Sequence, residues 1–338
     1  MAALVPAQAS GDALADFYRG KQINLVVGYG TGGGYDAYAR LIARYLGRYI
    51  PGNPDVIVQN MPGAASLRAV NYLFNAAPRD GTVIGTFARD MPLLGLMGHP
   101  NARFDPRILT WLGSSSSYRN DAYLMFARRD APARSIEDLR RNDGPPLVLG
   151  GTAEGASGND VSTVLREALG LNLRIVVGYP DSNAIFLAVD RKEVDGRCVG
   201  LSAVQSSHPE WLQPASGMRV LLQFARSTRH PAFPDAPTAR ELALTPAARA
   251  LIELAEIPYA LSRPFAAPPE VPADRARALQ SAFLQAHRDP QFLDAADRLK
   301  IEVSPIGGAE VLSAVLQMAT APPELIDHMK RLIADKKS

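Results

Sequence analysis

The chain carries one cysteine, Cys198, in 338 residues. A lone cysteine excludes an intramolecular disulfide and supplies no thiolate cluster for zinc, so the residue reads as a small buried side chain beside a strand. Neither sign of charge is in excess: 36 basic against 34 acidic residues leave a formal net charge of +2. The basic residues are scattered, which excludes the electrostatic footprint of a nucleic-acid binder. No apolar run approaches the ~20 residues of a membrane-spanning helix. The five histidines, His99, His208, His230, His287 and His328, show no metal-ligand spacing, and each reads as a surface side chain rather than a base. Repeats of fixed short period and low-complexity tracts are also lacking.

What the chain does have is a concentration of glycine at Gly28-Tyr29-Gly30-Thr31-Gly32-Gly33-Gly34. The stretch follows a strand-like run, Ile23 with Leu25–Val27, and precedes helical spacing at Tyr38, Leu41, Ile42 and Tyr45. Glycines let a backbone approach a ligand closely, and the helix start behind them offers unpaired N–H groups and partial positive charge, so the stretch predicts an anion cradle. A P-loop is excluded, because Tyr35-Asp36 stand where Lys-Ser/Thr would be needed. The dinucleotide fingerprint is nominally met by Gly28–Gly33 but lacks its acidic ribose partner, since Asp55 precedes the second strand rather than ending it. A carboxylate held on backbone amides and a tight turn with no ligand both remain open.

Short apolar strands alternate with helical patterns from here on: Val56–Gln59, a helix from Leu67, then Thr82–Phe87. That alternation is the signature of a parallel sheet with helices on its faces, where ligands bind outside the carboxyl ends of the strands. Arg89 then falls near the binding edge, where its fork suits a carboxylate, unless it is a surface arginine paired to Asp90. Leu147–Leu149, a small-residue loop and a helix through Leu169 repeat the opening design, which predicts two lobes that each present amides to one ligand. Gly178–Asn183 introduces another helix, Arg197–Leu201 another strand, and Met218–Phe224 a strand that would return the chain between lobes. Tyr29, Tyr118 and Tyr179 suit either stacking on an aromatic ligand or packing at the edge of the site. The first residues, through the A-x-A pattern Ala7-Gln8-Ala9, resemble the tail of a secretory signal or a native tail.

Four ordered motifs carry a family resemblance. Gly28–Asp36 followed by Ala39-Arg40 is similar to P-F/Y-x-P-G-G-x-x-D before a helix beginning A-R, with Gly28 and Thr31 in place of the two prolines. Asn60–Ser66 matches N-x-P-G-A-x-x, Pro78–Val83 matches P-D-G-x-T/V, and Pro234–Glu241 is similar to P-D-V-P-T-x-x-E. On these residues the chain resembles the periplasmic solute receptors of the tripartite tricarboxylate transporters, the Bug or TctC-like proteins. The second-lobe segments Gly155–Asp160 and Val177–Ser182 depart from the family's G-S-x-x-H and V-P-Y-K-G.

The resemblance implies an α/β fold of two lobes, each a mainly parallel sheet flanked by helices, joined by two crossing strands with the ligand between the lobes. Lobe 1 would comprise 1–112 with 226–338, and lobe 2 would comprise 113–225. The implied ligand-binding residues are Tyr29, Thr31, Gly32, Gly33, Gly34 and Asp36 in loop one and Ala64, Ala65 and Ser66 in loop two. In the second lobe they are Gly155, Ala156, Ser157 and Asn159, then Tyr179, Asp181, Ser182 and Asn183; Arg89 joins them on its position. For Asp36 a helix-start role competes with ligand contact, because aspartate is favourable in a first turn and a second anion would repel the ligand. The implied function is that of a periplasmic, monomeric receptor, without cofactor or metal, delivering a di-, tri- or aromatic carboxylate to a membrane permease. The alternative is an enzyme with a nucleotide- or anion-binding loop. For a hydrolase, Gly155-Ala156-Ser157-Gly158 lacks the final glycine of a nucleophile elbow, with Asn159 in its place.

Overall fold

A computed structural model describes residues 7–141, 143–152 and 156–334. Its eleven strands, in chain order, are β1 (Gln22–Val27), β2 (Asp55–Asn60), β3 (Val83–Thr86), β4 (Thr110–Ser114), β5 (Tyr123–Arg128), β6 (Leu147–Gly150), β7 (Leu173–Val176), β8 (Gly196–Gly200), β9 (Met218–Phe224), β10 (Pro264–Ala267) and β11 (Ile306–Gly307). The chain divides into two units: residues Met1–Ser117 with Ala260–Gln317, and residues Tyr118–Tyr259 with Met318–Ser338.

The first unit holds a six-stranded sheet in the order β11-β4-β10-β3-β1-β2. β1 pairs in parallel with β2 and β3, whereas β10 runs antiparallel between β3 and β4. Position sets the residue pattern: β2, at the edge, alternates between exposed and half-buried residues, while β3 is buried throughout. Ile23, Leu25 and Val27 share one face of β1 and enter a core with Leu41 and Ile42 of the helix Gly34–Leu46 and Leu279 and Phe283 of the helix Ala273–Ala286. That core fixes the exit of β1 and the direction of the helix after it. The loop between them is held from both ends.

The second unit holds a five-stranded sheet in the order β7-β6-β8-β5-β9. β6 pairs in parallel with β7 and β8, and β5 runs antiparallel to both β8 and β9. Leu124 and Phe126 of β5 and Val199 of β8 share a core with Phe186 and Val189 of the helix Ser182–Asp190 and with Trp211. Cys198 is buried on β8, as expected, and burial pushes its thiol up to about 12, which makes it inert at neutral pH.

The division differs from the expected one. Residues 113–117 stay with the first unit, whereas 226–259 and 318–338 belong to the second. Contacts within the second unit explain this. The buried Gln223 side chain donates to the carbonyls of Phe233 and Ala236 (2.8 and 2.7 Å) and accepts from the His230 amide, which fastens the chain after β9 to β9 itself. Buried Glu256 accepts from the Ala225 amide at 2.9 Å. The helices Pro246–Glu256 and Pro323–Ala334 both pack on the helix Ser157–Leu169. Met218–Phe224 therefore stays inside the second unit, paired to β5, and the return to the first unit falls at 259/260.

Candidate functional site

Loop one leaves the carboxyl end of β1 and enters the helix Gly34–Leu46. Gly32 has φ +85°, a left-handed conformation that glycine adopts without the cost a β-carbon would bring. Asp36, in the first helical turn and only 2% exposed, turns back on the loop. Its Oδ2 accepts from the Gly32 amide at 2.9 Å and from Arg40 Nε at 2.8 Å, and its Oδ1 accepts from Asn60 Nδ2 at 2.8 Å. Burial alone would raise the Asp36 pKa; the bonds from Arg40, Asn60 and Gly32 outweigh it and hold the carboxyl below its ordinary value. Asp36 thus braces loop one from behind, with its oxygens turned to donors of the protein.

Thr31, Gly32, Gly33 and Gly34 are exposed, and no side chain caps the helix at Gly33. Beside this open helix start, Tyr29 and Tyr35 stack with centroids 4.8 Å apart. Burial, followed by the neighbouring Tyr35, pushes the Tyr29 hydroxyl upward, so it remains a protonated donor. The Tyr35 hydroxyl accepts from the Arg89 backbone N–H at 3.0 Å. Arg89 is 6% exposed, which removes the surface-arginine alternative. The Arg263 guanidinium lies 4.6 Å from the Tyr35 ring centroid, and a β-carbon on Gly34 would stand 3.4 Å from its Nη2, which puts this cation at the first residue of the helix. Arg263 donates to the carbonyl and hydroxyl oxygens of Ser262, and no carboxylate among the described residues is within ion-pair distance of it.

Loop two follows β2. Ala64, Ala65 and Ser66 have φ of +45°, +51° and +86° in succession. Each left-handed residue with a side chain costs roughly 1–2 kcal/mol, so the run persists only where its surroundings hold it. Ser66 supplies the hold. Fully buried, its hydroxyl donates to the Gly28 carbonyl at 3.3 Å and accepts from the Ala88 amide at 3.1 Å. Loop two is thereby latched to loop one and to the exit of β3, with Ala64 exposed and Ala65 half-buried.

In the second unit the helix Ser157–Leu169 starts at Ala156 without a side-chain cap. Asn159 is buried in its first turn and donates to the Asp160 carboxylate at 3.2 Å. Gly155 lies outside the described residues. Asp181 caps the helix Ser182–Asp190 by accepting from the Ala184 amide at 2.9 Å. Ser182 and Asn183 are exposed, and Tyr179 is half-buried against the core that contains Phe186. Tyr118 is buried edge-on to Tyr259 with centroids 5.1 Å apart, so of its two readings packing is the one realised. Among the described residues no three potential metal ligands cluster.

No family model matches the chain. A UPF0065 protein of Bordetella pertussis is 27% identical over 289 residues, which is 85% of this chain and 82% of the relative. The periplasmic binding protein BugD superposes with a TM-score of 0.68 at 21% identity, covering 93% of this chain and 98% of its own. A TctC solute-binding protein from Polaromonas gives 0.66 at 18% identity, covering 92% and 99%. The chain is Bug/TctC-like. These solved neighbours are binding proteins, and this chain shares their α/β fold. They include MatC of Rhodopseudomonas palustris with bound malate, at a TM-score of 0.65 and 18% identity over 93% of this chain and 99% of that one.

Two cations in this Bug/TctC-like chain escaped sequence reasoning. Arg263 sits before Pro264 in an otherwise apolar stretch, and Arg197 interrupts the buried run of β8, where Gly196–Gly200 is buried throughout. A single charge inside a buried strand was the available signal, because charged side chains are seldom buried without a partner.

Proposed function

We propose that this Bug/TctC-like chain is an extracytoplasmic receptor, acting as a monomer, that holds a small organic carboxylate and hands it to a tripartite tricarboxylate-type permease. One observation carries the reading. Loop one exposes the uncapped start of the helix Gly34–Leu46 while its one acidic side chain, Asp36, is turned inward and neutralised by protein donors. Amides, helix dipole and the Arg263 guanidinium then act on the same open place, and charge-assisted bonds to a carboxylate are stronger there than bonds to a neutral group. Loop two, latched to loop one through Ser66, would read the part of the ligand next to the carboxylate. MatC, which carries malate, supports a carboxylate of this size. Release to a permease follows from differential affinity, because a ligand can shift only those states with which it interacts differently.

The test is thermal stabilisation by a panel of mono-, di- and tricarboxylates, aromatic acids, NAD and ATP, followed by calorimetry on the acids that stabilise. Stabilisation by one carboxylate class is the expected result. Stabilisation by NAD or ATP and by no acid would return the chain to the enzyme reading.

A further inference from the structure

The second unit by itself forms a cavity of about 610 Å³ where β5 ends and β9 begins, beside the end of the helix Ser182–Asp190 and the short turn Pro209–Leu212. Arg128 pairs with Met218 there, and the Arg128 amide donates to the Asp195 carbonyl at 2.8 Å, just before β8. The cavity therefore lies at the amino end of β8, whereas the open helix start at Ala156 follows the carboxyl end of the parallel strand β6. Its volume is that of a small-molecule site, for which ~300–1,000 Å³ is usual. Val189, Trp211 and Met218 line it and belong to the core of the unit, so its floor is apolar.

The charges around that floor sort into a closed group and an open one. Asp130 accepts from Lys192 Nζ at 2.7 Å and from Arg128 Nε at 2.9 Å, and these two bonds hold its carboxyl down to about 2. Arg128 also reaches Asp195 at 3.1 Å, so this group neutralises itself. Arg129 stays open. It is exposed, its Nε donates to the Ser216 carbonyl at 3.3 Å, and no carboxylate among the described residues lies within ion-pair distance of it. Arg219 adds to the positive charge there by donating to the carbonyls of Arg129 and Arg134 at 2.6 and 3.1 Å; burial first, then the like charges of Arg129 and Arg134, lower its pKa. Beside Trp211 stand two carboxylates with no lysine or arginine partner among the described residues. Asp190 accepts from Trp211 Nε1 at 3.2 Å and has the His208 ring 3.7 Å away, and Glu210 is exposed.

A single exposed charge is answered by water and indicates nothing. Charges of both signs left open around one apolar floor are complementary to a molecule that carries both signs on an apolar body. We propose that this cavity binds a small zwitterion the size of a free amino acid or dipeptide, with its carboxylate on Arg129, its ammonium on Asp190 and Glu210, and its apolar side chain on Trp211 and Met218. The site is separate from loop one and does not depend on the receptor reading. An anion alone leaves two carboxylates facing it, and a cation alone leaves Arg129 unanswered. Each charged contact at such an open rim is worth about 10-fold in affinity.

The experiment is NMR of the full chain with isotope-labelled tryptophan. The chain has two tryptophans, Trp111 in the first unit and Trp211 in the cavity, so the Trp211 indole N–H, assigned with Trp211→Phe, reads this site alone. The probes are leucine and leucyl-leucine, with N-acetyl-leucine, which lacks the ammonium, and leucinamide, which lacks the carboxylate. At least one zwitterion should move the Trp211 resonance to saturation while that of Trp111 stays in place, and both single-charge analogues should bind about 10-fold more weakly or worse. Arg129→Gln should weaken the zwitterion about 10-fold and leave leucinamide within about 2-fold; Glu210→Gln should weaken the zwitterion and spare N-acetyl-leucine. Both side chains are exposed, so neither variant disturbs the core. A Trp211 resonance that neither zwitterion moves overturns the proposal. Equal binding of a single-charge analogue, or unchanged zwitterion affinity in either variant, overturns it as well.

Discussion

Ser66 lies so close to Gly28 that a β-carbon on residue 28 would stand 2.5 Å from both Cβ and Oγ of Ser66. The contact couples two loops that are 38 residues apart in sequence. It also explains a departure from the family pattern, in which a proline stands at position 28. A left-handed Ser66 with its hydroxyl on the Gly28 carbonyl leaves room for a hydrogen atom and nothing larger, and the Gly28 amide is itself committed to the Thr86 carbonyl at 3.0 Å. Glycine at 28 and the strained run at 64–66 are one feature.

Gly28→Ala should therefore cost about 1–3 kcal/mol of stability through overpacking. Gly28→Pro should cost more, because it also removes the donor to Thr86. Ser66→Gly suits the left-handed backbone but loses two hydrogen bonds. In the Gly28→Ala/Ser66→Gly double variant the costs should fall short of additivity, as measured by urea denaturation, because the removed side chain is the one that clashes. Strict additivity would mean that the two loops are not coupled.

Neighbouring glycines in loop one should separate fold from binding. Gly33 has φ −83° and ψ 169°, ordinary extended backbone, and a β-carbon there meets nothing within 4 Å. The left-handed backbone of this stretch belongs instead to Gly32, at φ +85°. Gly33→Val should melt with the native chain yet lose at least about 10-fold in carboxylate affinity, since the isopropyl group stands over the open amides. Gly32→Ala should lose roughly 1–2 kcal/mol of stability. Unchanged affinity in Gly33→Val by calorimetry would remove loop one from the binding site.

Asp36 should reveal itself in acid. Its folded pKa lies below the ordinary 3.8, with burial opposing and the bonds from Arg40, Asn60 and Gly32 prevailing. A depressed carboxyl contributes stability that is present above the unfolded value and is lost as pH falls through the folded one. Asp36→Asn should lower stability at pH 7 and show a smaller further loss than the native chain below about pH 4. Asp36→Ala, which leaves its three donors without an acceptor, should cost about 1–3 kcal/mol. An unchanged acid limb in Asp36→Asn would show that the brace does not form.

The parallel half of each sheet is legible in the sequence because each of its strands is a local apolar run that a helix follows. β1, β3, β6 and β8 all fall where alternation predicts them. The antiparallel insertion of β10 between β3 and β4 is not legible, because Pro264–Ala267 pairs with residues some 150 to 180 positions earlier, and nothing local encodes a partner at that distance. The unit boundary fails for a related reason: a single buried glutamine, Gln223, decides where the chain after β9 belongs. Loop one and Asp36 are readable from glycine chemistry and first-turn preference. Arg263 and Arg197 are not, since what marks them is that no carboxylate among the described residues lies within ion-pair distance.

His287 corrects the expectation of surface histidines, and its burial makes it titrate in an observable way. It is 2% exposed between Phe283 and Phe292, with ring centroids 4.4 and 4.8 Å away. The Phe283 carbonyl, 2.7 Å from Nδ1, can only accept, so Nδ1 carries the proton and the Ser115 hydroxyl donates to Nε2 at 2.8 Å. Protonating Nε2 would place a charge in the core and force the Ser115 hydroxyl to turn, and burial accordingly lowers the pKa from 6.5 to about 4. The sign follows from proton counting. Above pH 6.5 neither state carries the proton, and His287 contributes no pH dependence; between 6.5 and about 4 the unfolded chain binds a proton that the folded one refuses, so stability falls as pH falls. The full loss amounts to about 3 kcal/mol. Urea denaturation at pH 7 and pH 5 should show a stability drop in the native chain that is smaller in His287→Gln, the four other histidines being common to both. Equal drops in the two chains would mean that His287 is reached by water and titrates as a surface group after all.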